Sequence, residues 1–140
     1  MNTDLKTIAE RYLRGLYGGD PSVVDELASE DIISSYPIFE QLFGTPTIRG
    51  RKAMAAFSIR FAQRWGNQHL EIFESLQESD KVVFIWGFEA QRSDQKSDDR
   101  SQWGGITLFR FNSSGQIVAE IGEESSPGPI ARLTKGGLAK

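Results

Sequence analysis

The stretch Arg100–Ser125, RSQWGGITLFRFNSSGQIVAEIGEES, decides the fold. Apolar and polar residues alternate up to Asn112-Ser113-Ser114-Gly115 and resume beyond it. That is the pattern of two long strands joined by a tight turn, broken where glycine makes φ > 0 available. Successive side chains of a strand point to opposite faces. Trp103, Gly105, Thr107, Phe109 and Phe111 therefore share one face of the first strand, and Ile106 and Leu108 the other. In the second strand Val118, Glu120, Gly122 and Glu124 alternate against Ile117, Ala119 and Ile121. Carboxylates at period two, opposite an apolar face, are either solvated or line a polar cavity.

The same period extends upstream. His69 to Glu78 and Lys81 to Gln91 read as two more strands, separated by Ser79-Asp80 and followed by the charged run Arg92 to Arg100, whose stretch Asp94 to Arg100 reads as a solvated hairpin tip. The strand in the middle has Val82, Phe84, Trp86 and Phe88 on one side and Val83 and Ile85 on the other, so both faces need cover. Helices are expected on one face. The other, joined by Ile106 and Leu108, forms an apolar patch that predicts a sheet-to-sheet homodimer.

Those helices come first in the chain. Leu5, Ile8, Tyr12, Leu13 and Leu16 recur at helical spacing, which predicts a helix over Thr3 to Tyr17, capped by Asn2 or Thr3 and stopped by Gly18-Gly19. Asp20-Pro21 opens a second, short helix. Asp31 to Tyr36 reads as a strand ended by Pro37, and Ile38 to Arg49 as an irregular loop that tucks Phe39 and Phe43 under its neighbours. A third helix is expected from Arg51 to Trp65, with Met54, Phe57, Phe61, Ala62 and Trp65 on one stripe and Gly66 as its stop. Ser126 to Lys140 is expected to be a flexible tail, either a solvated end or a lid over a cavity mouth.

At 140 residues and 39% hydrophobic content the chain fits one domain, placed at residues 1–125. The net charge of −3, with scattered cations, argues against a nucleic-acid partner. Having no cysteine and one histidine, His69, the chain holds no thiolate chemistry and no multi-histidine metal site; no metal and no cofactor are expected. No apolar run approaches a membrane span, and the charged N-terminus lacks a signal core, so a soluble cytoplasmic protein is expected. The sequon Asn112-Ser113-Ser114 is then turn chemistry only.

Helices followed by a curved antiparallel sheet make an α+β cone: three N-terminal helices packed on a curved, mostly antiparallel sheet with a pocket inside. The strings GLYGGDPSVVDELASEDI, IRGRKAMAAF and ITLFRFNSSGQIV resemble the nuclear transport factor 2-like superfamily, particularly its polyketide-cyclase-like and ketosteroid-isomerase-like members, over residues 3–125. The resemblance implies a cone that serves isomerases, cyclases, dehydratases, epoxide hydrolases and non-enzymes alike. ERYLRGLYGGD is similar to the isomerase string whose tyrosine, matching Tyr12, donates to a developing oxyanion. That family's general-base aspartate would fall at Tyr36 and its protonated aspartic acid at Thr107, so both carboxyls are missing. Polyketide-cyclase-like relatives place an acid after a tryptophan in the final strand; here Ile121 takes the tryptophan place, with Glu123 and Glu124 nearby. Tyr36-Pro37-Ile38-Phe39-Glu40 together with EESSP resembles carotenoid-binding domains of photoprotective proteins, in which the tyrosine matching Tyr36 binds a carotenoid ketone and its tryptophan partner would fall at Thr107.

The isomerase-like comparison turns Trp103, Gly105, Thr107, Glu120, Gly122 and Glu124 inward. Desolvation and mutual repulsion would then push a glutamate toward protonation, which suits acid or base work near neutral pH. Glu120, Tyr12, Tyr36 and Glu124 are the candidate catalytic residues, and Trp86, Trp103, Thr107, Phe57 and Phe61 the candidate substrate-binding residues. The bland alternatives are a Glu120 paired with Arg110 or reaching solvent, a Trp86 in ordinary core packing, and a His69 at the surface or at a helix cap. The expected function is cofactor-independent isomerisation, cyclisation or dehydration of an apolar polycyclic or terpenoid-like metabolite, by an isomerase, cyclase or lyase. A non-catalytic carrier of a carotenoid or similar ligand is the alternative. A structural module, its cone filled by its own side chains, is a third class.

Overall fold

The computed structural model describes residues 4–94 and 100–135. Helix α1 spans Leu5–Gly18 and buries Leu5, Ala9, Tyr12, Leu13 and Leu16. Its cap is Asp4, whose side chain accepts the Lys6 and Thr7 N–H groups at 3.1 and 3.3 Å. The caps expected at Asn2 or Thr3 lie outside the described residues. Gly19, at φ 83°, closes the helix as a left-handed cap. Helix α2, Ser22–Leu27, starts after Asp20-Pro21, with the Asp20 carboxylate accepting from Ser22 N–H.

Strand β1, Ala28–Ser35, begins earlier than its alternation suggests because Ala28 pairs with Ile117 far along the chain. The loop expected over Ile38 to Arg49 is instead helix α3, Pro37–Phe43, followed by strand β2, Thr47–Arg49. Pro37 ends β1 and also occupies the first turn of α3, where its missing N–H costs nothing. Gly44, at φ 72°, supplies the left-handed cap, and a helix of 7 residues is too short to show a period. Helix α4, Arg51–Arg64, runs without a break into strand β3, Trp65–Glu78. The stop expected at Gly66 is not used: Trp65 is already extended, with φ −122° and ψ 118°. Strands β4 (Lys81–Arg92), β5 (Ser101–Phe111) and β6 (Ile117–Ser125) complete the meander, and helix α5, Pro129–Lys135, follows.

The strands form one 6-stranded sheet in the order β2-β1-β6-β5-β4-β3. All neighbours are antiparallel except β1 and β6. The chain is thus an α+β cone, with α1, α2, α3 and α4 packed on the concave face around a core that includes Tyr12, Met54, Phe84 and Phe109. On the convex face Leu76, Val83, Leu108 and Ile121 are register partners across four strands, and Ile85 pairs with Ile106 beside them. Helix α5, within the stretch read as a tail, lies on this convex side: Gly104 faces outward and the Cα of Gly128 packs against it. Residues 136–140 lie outside the described residues, as do residues 95–99 of the expected hairpin tip.

One phase differs from the alternation. Ile117, placed by period two opposite Glu120, is fully buried in the core, because a register shift lets Phe111 pair with Ile117 while Arg110 pairs with Ala119. The extra residue at this bulge resets the strand before Glu120.

Two inward glycines make room for rings. A methyl group at Gly122 would lie 2.1 Å from Tyr36 Cε1, and one at Gly105 would lie 2.7 Å from the Trp86 ring. Gly122→Ala should destabilise the protein by about 1–3 kcal/mol through overpacking, measured by urea denaturation. Unchanged stability would mean that the Tyr36 ring is free to move.

Candidate functional site

Between the helices and the concave face lies a cavity of about 870 Å³. Its walls are aromatic. Phe39 of α3 meets Phe57 of α4 edge-on at 5.2 Å, Phe61 meets Phe88 at 5.5 Å, and Trp103 packs against Phe88 at 4.7 Å and Trp65 at 4.9 Å. Phe57, Phe61, Trp86 and Trp103 all line it, as the strand period and the α4 stripe predict.

At its inner end β6 brings in Glu120, which has no solvent exposure. Tyr36 donates to its Oε2 at 2.6 Å, Tyr17 reaches the same oxygen at 3.4 Å, and Ser34 donates to Oε1 at 3.1 Å. No cation pairs with this carboxyl among the described residues. Arg110, the counter-charge considered for it, is exposed on the opposite face of the sheet. Burial therefore dominates and pushes the Glu120 carboxyl up to about 7, against the pull of the hydroxyls; the negative charge of Glu124 adds a smaller push.

Thr107 does not line the cavity; it is fully buried behind it. Its hydroxyl lies 2.8 Å from that of Tyr36 and accepts the Trp86 indole N–H at 2.9 Å. The Tyr36 phenol has one proton and gives it to Glu120, so the Thr107 hydroxyl, which accepts from the indole, donates its own to the Tyr36 oxygen while that bond stands. With Glu120 ionised, every donor then points the same way, from Trp86 through Thr107 and Tyr36 to the carboxylate. With Glu120 protonated, the Tyr36 oxygen can accept from both Thr107 and Glu120, which leaves its own proton for another acceptor; the Tyr36 side chain lines the cavity.

Glu124 lines the cavity directly, and its Oε1 accepts the Ile38 N–H at 3.2 Å in the first turn of α3. Burial raises its pKa more than that bond lowers it. Tyr12 stands apart. Its hydroxyl is buried without a hydrogen-bond partner, its ring packs edge-on against Phe109 at 6.2 Å, and it does not reach the cavity. His69 is exposed beside Glu71.

Two residues of the cluster carry no mark in the sequence reading. Tyr17 sits one helical turn beyond Leu13 and so on the buried face of α1, a spacing that could have found it. Ser34 is the parallel register partner of Glu120, a pairing between distant strands that local spacing cannot disclose. Among the described residues no group of three or more His, Asp or Glu could hold a metal ion. Among the described residues no helix is long and apolar enough to cross a membrane.

The profile of the SnoaL-like domain matches residues 9–120, which includes both Tyr36 and Glu120. The chain belongs to the SnoaL-like family. Solved structures share its fold. An M. tuberculosis LEH-like epoxide hydrolase is 19% identical, with TM-score 0.66 over 95% of this chain and 88% of that one. A putative SnoaL-like polyketide cyclase from Jannaschia sp. CCS1 is 15% identical, with TM-score 0.69 over 96% and 94%. The epoxide hydrolase/cyclase-like enzyme SalBIII, of pyran ring formation in the polyether salinomycin, is 16% identical, with TM-score 0.68 over 86% and 90%. No curated protein matches the sequence.

The displaced ionisation of Glu120 sets a stability slope in this SnoaL-like domain. The folded state keeps the proton to about pH 7, whereas the unfolded carboxyl releases it near its ordinary value of 4.5. Folding therefore binds a proton in that window, and stability falls by about 3 kcal/mol as pH rises through it. Glu120→Gln should remove most of this slope, seen as a melting temperature that declines less than the native protein's between pH 4.5 and 8. Equal slopes would show that Glu120 ionises normally in the fold.

Proposed function

We propose that this SnoaL-like protein is a cofactor-independent acid–base enzyme of the cyclase or isomerase type, acting on an apolar polycyclic or terpenoid-like metabolite within its aromatic cavity. The observation that carries the reading is the 2.6 Å contact between Tyr36, a cavity-wall residue, and a Glu120 carboxyl poised near neutrality without a counter-ion. Tyr36 gives its proton to a substrate oxygen while Glu120 transfers its own to the tyrosine oxygen, so the tyrosine stays neutral. This matters because burial and the nearby Glu120 charge hold the Tyr36 phenol well above its usual range, which disfavours a free phenolate. Glu124, facing the cavity, takes the proton that isomerisation, ring closure or dehydration must remove from carbon or oxygen. Trp103, Phe57 and Phe61 hold the apolar body; Trp86 does so too while orienting Thr107. The protein is proposed to work as a homodimer through the apolar row of Leu76, Val83, Leu108 and Ile121.

A second reading, a carrier of a carotenoid or similar ligand, is favoured by one observation. Glu120 does not itself line the cavity, since Tyr17 and Tyr36 stand in front of it. Retention of added carotenoid, without turnover of any compound in a panel of apolar epoxides and polycyclic enones, would favour the carrier.

On a substrate found in such a panel, Tyr36→Phe should cost about a hundredfold in kcat, while Tyr12→Phe leaves turnover near that of the native protein. The acid must be protonated to act, so kcat/KM should fall as pH rises through about 7. It should also fall at low pH as Glu124 gains its proton, at a value above the ordinary carboxylate range. A Tyr36→Phe enzyme of full activity would remove the assignment.

A further inference from the structure

Helix α4 changes character along the face it turns to the cavity. Phe57 and Phe61 occupy that face, and the next positions of the same stripe, by three- and four-residue spacing, are Arg60 and Arg64. Both arginines line the cavity, Arg60 between Phe57 and Phe61 in the chain and Arg64 at the helix end, and both are exposed. Neither makes an ion pair or side-chain hydrogen bond among the described residues. The arginines at neighbouring strand ends differ: Arg92 is closed by Asp94 at 2.8 Å and Arg100 by Glu89 at 2.7 Å. Arg64, in the last turn, is favoured by the helix dipole, but Arg60 four residues before it is a like charge on the same face that repels it. The Arg64 guanidinium also lies 5.9 Å from the centre of the Trp65 ring, which in turn packs on Trp103. A cation–π contact of this kind limits the side chain's freedom on the aromatic wall.

We propose that the ligand of this cavity carries a carboxylate at the end opposite its apolar rings, and that Arg60 and Arg64 hold that group at the mouth. The inference rests on the proposed function and narrows its substrate class to amphipathic acids. Guanidinium forks match carboxylate geometry with paired N–H donors. The acidic side chains that share the cavity leave the pair available: Asp94 is engaged by Arg92, and Glu124 comes from β6, on the sheet side, bound to the Ile38 N–H. Glu124 also disfavours a second anion deeper inside, which orients the ligand with its rings inward and its acid outward.

The test is a matched pair of probes, 1-pyrenebutyrate and 1-pyrenebutanol, titrated at pH 8 with tryptophan fluorescence as the readout. The acid should bind roughly tenfold more tightly than the alcohol at low salt, and the preference should shrink as sodium chloride is raised. The double variant R60Q/R64Q should lose the preference while binding the alcohol as the native protein does. Equal affinities in the native protein, or a preference that survives in the double variant, would overturn the inference and leave the proposed function standing. If neither probe binds, the cavity does not accept polycyclic bodies, and the inference falls together with the reading beneath it.

Discussion

A buried carboxyl that no cation answers among the described residues underlies the rest of this structure. Glu120 is sealed from solvent and surrounded by the hydroxyls of Ser34, Tyr36 and, more distantly, Tyr17. Hydroxyl donors recover part of the cost of burial but less than a cation would, so the carboxyl stays near the balance between its two forms. A buried Arg or Lys partner would have kept it ionised at neutral pH. An apolar shell without hydroxyls would have kept it neutral. The chemistry open to the site follows from the intermediate case, in which one proton can move at little cost.

The rest of the fold serves to place that carboxyl and the tyrosine before it. The parallel pairing of β1 with β6 sets Ser34 beside Glu120, and β1 ends where Tyr36 caps α3. Gly122 leaves the space that the Tyr36 ring fills, and Gly105 does the same for Trp86. The network is thereby fixed from both sides: the indole of Trp86 directs Thr107, and Thr107 directs Tyr36. Helix α3, short as it is, closes the cavity with Phe39 and gives Glu124 its backbone partner.

The meander of β3 to β6 was legible because each strand is long and its two faces differ in character. Period two put Trp103 and Thr107 on one face, the isomerase-like comparison turned that face inward, and a change of phase at one bulge moved Ile117. Short elements carried no such mark. The seven residues of α3 span two turns, and three-residue β2 shows no alternation, so Pro37 read only as the end of a strand. The candidate carboxylates and Tyr36 were visible, but the hydroxyls of Ser34 and Tyr17 were not, since they arrive from β1 and α1 by contacts 86 and 103 residues apart in sequence. Tyr12 attracted attention through a resemblance of helix strings. Five residues, about one and a half turns of helix, separate it from the residue that does reach the carboxyl, Tyr17.

The division between wall and interior also bears on how one cone can host different reactions. In this chain the groups that line the cavity are mostly aromatic, with the half-buried Glu124 carboxylate among them and Asp94, Arg60 and Arg64 as further charged lining groups, while Glu120 and Thr107 do not line it and are fully buried. Substrate identity can then change with wall residues such as Phe43 or Leu42 without disturbing the hydrogen bonds that set the proton's position. The reverse does not hold. A change to Ser34, Tyr36 or Tyr17 alters the balance at Glu120 whatever the ligand, because their hydrogen bonds are what opposes its desolvation, and Thr107 bears on it through Tyr36. Under the proposed function, specificity and reactivity are therefore separable, the first assigned to the cavity wall and mouth and the second to a hidden layer of hydroxyls.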